Sequence, residues 1–260
     1  MNVNIPMVIK VNFRNFCFLL LALSSTSVIS ADLPDTIAKV KPSIVAIGIY
    51  NRLTSPSSTL LGAGFVVGNG QLVATNAHVI SVPLNKEKKD KLVVFVVKEG
   101  GAEVRSVTVL SVDKVHDLAL LKISGQPLTP LHLSERRVRE GELFAFTGFP
   151  IGAALGLNPV THRGIISSIT PIATPVKTTK ELSSKQLRSL KNSYDIYQLD
   201  ATAYPGNSGS PVYDPDTGEV VAVINKVLVK STKENMLSDP SAITYAIPVK
   251  YLKRLIRNLN

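Results

Sequence analysis

The sequence predicts an all-β fold built as one or two antiparallel barrels, and three observations support this prediction. Short apolar or alternating segments recur between turn signals, as expected of half-buried strands. Val, Ile and Thr are abundant, and these β-branched residues favour strands. Helical periodicity is confined to three short segments.

Twelve segments carry the strand pattern and are interrupted by turn signals at 69–70, 100–101 and 216–218, where Asn-Gly, Gly-Gly and Asp-Thr-Gly favour hairpins. The predicted strands are Ser43–Tyr50, Gly64–Val67, Leu72–Thr75, Leu92–Val97, Val104–Val112, Leu118–Ile123, Leu143–Thr147, Gly164–Ile169, Tyr197–Leu199, Pro211–Tyr213, Val220–Val229 and Thr244–Ile247. Residues 170–193 lack a clean pattern, and we expect them to form a long loop or lid, of the kind that is often functional in compact domains.

Three helices are predicted, at Asp35–Val40, at Ala77–Ile80 and from Val249 to about Leu259. The last is amphipathic. Its apolar face consists of Leu252, Leu255, Ile256 and Leu259, opposite Lys250, Lys253, Arg254 and Arg257. Such a helix either lies on anionic lipid or packs onto its own domain, and we expect the second.

Residues 1–31 have the pattern of a secretory signal. Lys10 and Arg14 precede the apolar run Phe16–Leu23, and small residues follow it up to Ala31. The run is shorter than the ~20 residues that span a bilayer. We therefore expect cleavage near Ala31, export to the periplasm or the medium, and no stable membrane insertion afterwards. The single cysteine, Cys17, lies in this segment, so we expect no disulfide in residues 32–260.

Composition excludes several classes of protein. Hydrophobic residues make up 45% of the chain, which argues against disorder, collagen and coiled coil. The net charge of +10 raises the possibility of nucleic-acid binding, but the lysines cluster in polar stretches without stacking aromatics or a zinc or helix-turn-helix motif. We therefore expect no nucleic-acid partner. His, Cys and acidic residues show no metal-ligand spacing, so no metal and no cofactor are expected.

The strongest chemical signal lies in residues 205–211, Pro-Gly-Asn-Ser-Gly-Ser-Pro. Glycines on both sides of Ser208 let the backbone turn sharply and leave the hydroxyl exposed. They also direct N–H groups to one point, as the oxyanion of an acyl-transfer reaction requires. Taken alone, the motif is more often a plain Gly/Ser loop.

Two further segments supply partners for a nucleophilic serine. His78 follows an apolar strand, where a base is both rigid and accessible. Asp117 directly precedes the apolar strand 118–123, and a carboxylate drawn to the interior there needs a donor such as an imidazole N–H. The order His, Asp, Ser is informative, because the two other known orders of this triad belong to different folds.

Other residues compete less well for these roles. Asp113 is expected in a turn, and Asp200 in the strand before the nucleophile. His116, His132 and His162 are expected to be surface residues or hydrogen-bonded structural residues.

These segments resemble the trypsin-like serine peptidase superfamily, and within it the bacterial HtrA/DegP-type proteases. Four further segments carry the resemblance, namely residues 62–67 (GAGFVV), 148–152 (GFPIG), 163–167 (RGIIS) and 245–248 (YAIP). The resemblance covers about 37–249. It implies two six-stranded barrels, roughly 37–125 and 126–248, with the site in the cleft between them and a C-terminal helix at 249–260.

The resemblance also implies roles for individual residues. Ser208 is the nucleophile, His78 the general base and Asp117 the carboxylate that orients it. Gly206 and Ser208 supply oxyanion N–H groups, with Asn207 between them. The implied activity is that of a serine endopeptidase acting on polypeptides, and HtrA-like proteins are often homo-oligomers.

The same resemblance suggests a substrate pocket. Thr202 forms the floor of the S1 pocket, and Ile224, Val227 and Thr244 form its walls. Such a pocket is small and apolar, so we expect Val, Ala or Ile at the P1 position of substrates. The Asn225–Val227 edge is expected to pair with the substrate backbone as an added strand.

The sequence departs from the family in three places. A C-terminal PDZ domain is usual in HtrA proteases, and we expect none here. Ser210 replaces the usual second glycine, as in the glutamyl endopeptidases, but Ile224 stands where those enzymes place a pocket histidine. Asn207 replaces the Asp that digestive proteases use for zymogen activation.

A catalytically silent trypsin-like binding or chaperone module remains the alternative function.

Overall fold

A computed structural model of the protein describes residues 32–85, 87, 89–151, 156–172, 194–227 and 243–259. The side chains of Lys226, Val227 and Ile243 are not described. The predicted signal segment 1–31 lies outside the described residues, as does nearly all of the predicted loop 170–193.

The described chain consists mainly of strands. They are β1 (Ile44–Tyr50), β2 (Ser58–Val67), β3 (Leu72–Thr75), β4 (Lys91–Lys98), β5 (Gly101–Asp113), β6 (Leu118–Ile123), β7 (Leu143–Gly148), β8 (Val160–Pro171), β9 (Asp195–Asp200), β10 (Pro211–Tyr213), β11 (Val220–Val227) and β12 (Ile243–Pro248). The helices are α1 (Leu33–Val40), followed by a 3-10 turn at Lys41–Ser43, α2 (Ala77–Ile80) and α3 (Val249–Arg257).

The strands close into two antiparallel barrels of six strands each. The first has the order β1-β2-β3-β6-β5-β4, and the second the order β10-β11-β12-β9-β8-β7. Closure pairs the edge strands, so that neither barrel presents a free edge. The prediction of an all-β fold with two six-stranded barrels and a C-terminal helix is confirmed.

The pairing of β3 with β6 brings two sequence motifs together. Thr75, at the end of β3, pairs with Ala119 near the start of β6. The residues that follow β3 and precede β6 therefore lie at the same end of the first barrel. His78 is in α2, directly after β3, and Asp117 directly precedes β6.

Three apolar clusters form the core. Two fill the interiors of the barrels, and the third joins the barrels to each other and to the helices α1 and α3. This third cluster contains Phe65 and Leu120 of the first barrel and Tyr213 of the second. Leu252 and Leu255 of α3 are buried in it, which agrees with the expectation that the helix packs onto the domain.

None of the helices among the described residues is long and apolar enough to span a membrane.

Candidate active site

His78 and Asp117 form a hydrogen-bonded pair at the end of the first barrel. The Nδ1 atom of His78 lies 2.5 Å from Oδ2 of Asp117, and the His78 backbone N–H donates to Oδ1 at 2.8 Å. Because a carboxylate only accepts, Nδ1 carries the proton, which leaves Nε2 as the basic nitrogen. The side chains are 41% and 26% exposed, so the imidazole is accessible from solvent.

The backbone of Asp117 adopts a conformation that is unusual for a residue with a side chain. Its φ is +52°, in the left-handed region, which costs about 1–3 kcal/mol when it persists in a fold. Two donors hold the Asp117 carbonyl in place: the Ala77 N–H at 3.1 Å and the Asn76 side-chain amide at 3.0 Å. Asn76 is fully buried, and sequence reasoning did not single it out.

Ser208 lies in a tight turn that the two barrels hold together. Gly206 and Gly209, on either side of it, have φ values of +101° and +89°, which glycine adopts without strain. The Ser208 carbonyl accepts a 2.8 Å hydrogen bond from the Ala63 N–H of the first barrel. The Gly209 N–H donates to the Ile224 carbonyl of the second barrel at 2.9 Å.

The same turn leaves two N–H groups free. The Asn207 N–H donates to the Tyr204 carbonyl at 3.0 Å, and the Asn207 side chain is fully buried. The N–H groups of Gly206 and Ser208 have no acceptor among the described residues. Two free donors beside a serine hydroxyl are what an oxyanion site requires.

Asn225 connects the carboxylate to the serine. Its side-chain amide donates to Oδ2 of Asp117 at 2.9 Å, the oxygen that also accepts from His78. Its backbone carbonyl accepts the Ser208 hydroxyl at 2.9 Å. The sequence predicted only a substrate-pairing role for Asn225. The available signal was a polar residue in the otherwise apolar run 220–225, since a polar group there needs a partner.

The family model of the trypsin-like peptidase domain matches residues 62–223, a stretch that contains His78, Asp117 and Ser208. The chain belongs to the trypsin-like peptidase family. This confirms the resemblance that the sequence motifs indicated.

Serine proteases of the HtrA type are among the curated relatives of this peptidase domain. The chain is 29% identical to serine protease HTRA4 of Homo sapiens over 225 residues and 32% identical to HTRA4 of Mus musculus over 230 residues. Each match covers 85% of this chain and 40% of the relative. The chain therefore spans less than half the length of these relatives.

Solved protease structures share the fold. The active form of the Rv3671c protease from M. tuberculosis gives a TM-score of 0.62 at 20% identity, covering 86% of this chain and 84% of that chain. A serine endoprotease from Yersinia pestis gives a TM-score of 0.60 at 21% identity, covering 88% and 66%. At these identities, the likeness establishes the fold.

The residues predicted to form the S1 pocket of the peptidase differ from one another in burial and in hydrogen bonding. The hydroxyl of buried Thr244 donates to the Ala201 carbonyl at 2.5 Å and accepts from the Ala203 N–H at 3.1 Å, so it fixes the segment around Thr202. Thr202 is partly exposed. Ile224 is buried within the second barrel core. The side chain of Val227 lies outside the description.

The competing acids occupy other places in the peptidase. Asp200, the last residue of β9, is exposed. Asp113, the last residue of β5, pairs with the ring of His116 at 2.6 Å. Although burial acts in the opposite direction, hydrogen bonds from the His116 backbone and ring hold the pKa of Asp113 below its usual value.

The other histidines fit the expectation of surface or structural roles. His116 is buried and hydrogen-bonded, and His132 is exposed. His162 stacks on Phe146 with ring centroids 5.0 Å apart, and burial lowers its pKa.

Proposed function

We propose that this protein is a serine endopeptidase that hydrolyses exported or extracellular polypeptides through an acyl-enzyme intermediate. One observation carries the proposal: the 2.5 Å His78–Asp117 pair and the Ser208 turn, with its two free N–H groups, are joined through Asn225.

Acylation begins when the Ser208 Oγ atom attacks the scissile carbonyl carbon and passes its proton to Nε2 of His78. The N–H groups of Gly206 and Ser208 stabilise the negative charge on the substrate oxygen, which is greatest in the tetrahedral intermediate. Asp117 stabilises the resulting imidazolium and remains ionised. The C–N bond then breaks, and the leaving amine takes the proton from His78. An ester on Ser208 remains.

Deacylation repeats these steps with water. His78 takes a proton from water, whose oxygen attacks the ester. When the C–O bond breaks, His78 returns the proton to Ser208, and a peptide with a new carboxyl terminus leaves. The cycle needs neutral His78 and ionised Asp117, so protonation of His78 at low pH stops it.

The proposed substrate preference is for small apolar P1 residues. Thr202 carries no charge, and the Thr244 hydroxyl is already bonded to the backbone on either side of Thr202. A charged P1 side chain would find no counter-ion among these residues. A peptide-library cleavage profile with Val, Ala or Ile at P1 supports this preference, and a profile dominated by Arg, Lys or Glu contradicts it.

A second candidate, a silent binding or chaperone module, is favoured by one observation. The Ser208 hydroxyl donates to the Asn225 carbonyl, and within the described residues it makes no hydrogen bond to His78. Catalysis therefore requires a rotation of the Ser208 side chain toward Nε2. A protein in which this rotation never occurs would bind polypeptides without cleaving them.

Labelling with a fluorophosphonate probe separates the two candidates, because the probe forms a covalent bond only with an activated serine. We expect the wild-type protein to be labelled and Ser208→Ala to be unlabelled. Ser210→Ala is the matched control, since Ser210 is a buried serine two residues away and the variant should still react. Absence of labelling in the wild type under all conditions contradicts the proposal and supports the binding module.

A further inference from the structure

A second His–Asp pair lies in the turn that leads to Asp117. His116 is only 8% exposed, and its Nδ1 lies 2.6 Å from Oδ2 of Asp113. The other carboxylate oxygen accepts the backbone N–H groups of Val115 at 3.0 Å and His116 at 3.1 Å. Asp113 therefore fixes both the backbone and the ring of His116. The proposed reaction uses neither residue.

The C-terminal helix holds the opposite side of this ring. Tyr251 of α3 stacks on His116 with centroids 4.1 Å apart and planes inclined by 19°. The Nη2 atom of Arg254 lies 3.4 Å from Nε2 of His116. Because Nδ1 carries the proton shared with Asp113, neutral His116 presents Nε2 as an acceptor to this guanidinium. Two residues of α3 thus contact a side chain that precedes Asp117 directly in the chain.

Tyr194 also packs against the ring of His116. Its ring centroid is 4.6 Å from that of His116 and 5.4 Å from that of Tyr251. Burial, followed by the charges of Asp117 and Asp113, raises the pKa of Tyr194 to about 12. The cluster around His116 is therefore within electrostatic reach of the carboxylate that pairs with His78.

The conformation of Asp117 depends on anchors on both sides of it. Its φ of +52° is unfavourable for Asp, so neighbouring contacts must maintain it. On the C-terminal side, Asn76 and Ala77 donate to its carbonyl. On the N-terminal side, the preceding residue is His116, which Asp113, Tyr194 and α3 hold. If His116 is released, the peptide before Asp117 can rotate and move the carboxylate away from His78.

We propose that His116 is a positioning residue for Asp117, and that α3 acts on the triad through it. This inference rests on the proposed peptidase function. It predicts that loss of the His116 contacts lowers kcat while substrate binding is retained, because Asp117 acts on His78 and does not touch the substrate.

The test compares His116→Phe, which keeps an aromatic ring but loses both ring hydrogen bonds, with His116→Asn, whose amide can donate to Asp113. We expect kcat to be about 10- to 100-fold lower for His116→Phe, because the Asp117 carboxylate is then misplaced. KM should change by less than about twofold. His116→Asn should recover most of the loss. Tyr251→Leu should also lower kcat, since it removes the stacking contact between the helix and the ring and leaves His116 itself in place.

Proton NMR provides a readout that loss of stability alone would not change. The short His78–Asp117 hydrogen bond should give a strongly deshielded proton signal in the wild type, identified as the signal that His78→Ala loses and distinct from that of the 2.6 Å His116–Asp113 pair. We expect His116→Phe to shift or broaden it and His116→Asn to retain it.

Val96→Ala is the control for stability, because Val96 lies on β4 and is buried in the core cluster of the first barrel, outside α3. It should lower the melting temperature but leave kcat unchanged well below melting. Equal losses of kcat in Val96→Ala and His116→Phe overturn the proposal, as does an unchanged kcat and proton signal in His116→Phe. These comparisons require a wild-type peptidase activity that Ser208→Ala abolishes. If the wild-type protein has no such activity, the result contradicts the proposed function and not the role of His116.

Discussion

Gly209, directly after the proposed nucleophile, offers a sharp test of how the two barrels hold the Ser208 turn. Its φ is +89°, and a methyl group added there would meet the Ala63 carbonyl oxygen and, at 2.5 Å, the hydroxyl oxygen of Thr75. Both neighbours are fixed, since the Thr75 hydroxyl donates to that carbonyl at 2.8 Å. Gly100 has a similar φ of +81° and nothing within 4 Å of an added methyl group. Gly100→Ala is therefore a control for backbone strain alone.

The expected magnitudes follow from this difference. Alanine in the left-handed region costs roughly 1–2 kcal/mol, and Gly100→Ala should lose about that much free energy of unfolding. Gly209→Ala carries the same strain. In addition, its methyl group must move about 1 Å farther from Thr75 and Ala63 to reach van der Waals distance. The Ser208 carbonyl is bonded to the Ala63 N–H at 2.8 Å, so this shift moves the nucleophile. A displacement of that size lowers kcat/KM by about 100-fold.

The assay combines urea unfolding with the rate of fluorophosphonate labelling at a temperature where both variants are folded. Gly209→Ala should be the less stable variant and should label about 100-fold more slowly than wild type. Gly100→Ala should label at the wild-type rate. Equal stability and equal labelling rates of the two variants would refute the reasoning, because the packing of Gly209 against Ala63 would then be irrelevant to the position of Ser208.

Two further predictions concern the second barrel. Thr244→Val removes the hydroxyl that bonds to Ala201 and Ala203, and should cost about 2 kcal/mol of unfolding free energy for the buried groups left unpaired. It should also raise KM, whereas Thr244→Ser should do neither. Urea unfolding and peptide kinetics measure both effects, and wild-type values for Thr244→Val contradict the prediction. Burial lowers the pKa of His162 below its usual 6.5, so below that pH the unfolded chain binds a proton that the folded protein does not. Stability should therefore fall as the pH drops below about 6.5. His162→Phe keeps the stacking on Phe146 and should lose less stability between pH 7.5 and 5.5 in urea titrations; equal losses in the two proteins would contradict it.

Local patterns were sufficient to predict the strands and the candidate triad. All twelve predicted strands occur, because apolar and β-branched residues fill the interior faces of closed barrels. The errors are at strand ends: β2 begins at Ser58 and β8 at Val160, earlier than predicted, since pairing with neighbouring strands extends them beyond the segments with a clear pattern. The short turn at Lys41–Ser43 was not predicted. His78, Asp117 and Ser208 were identifiable because each lies in a distinctive segment next to an apolar strand.

The contacts that join these residues depend on chain segments far apart in sequence, and no local pattern contains them. Asn225 donates to Asp117 across 108 residues, and Arg254 approaches His116 across 138. Each contact requires the register of a barrel or the packing of α3, and a shift of one residue in β11 would turn Asn225 to the opposite face. A polar residue in a buried strand, or a histidine beside a proposed catalytic acid, signals that a partner exists without indicating which one. The proposed role of α3 also depends on contacts between distant segments. The helix contributes no reacting group, but it can affect the triad because Asp117 has an unfavourable backbone conformation that contacts with its neighbours maintain.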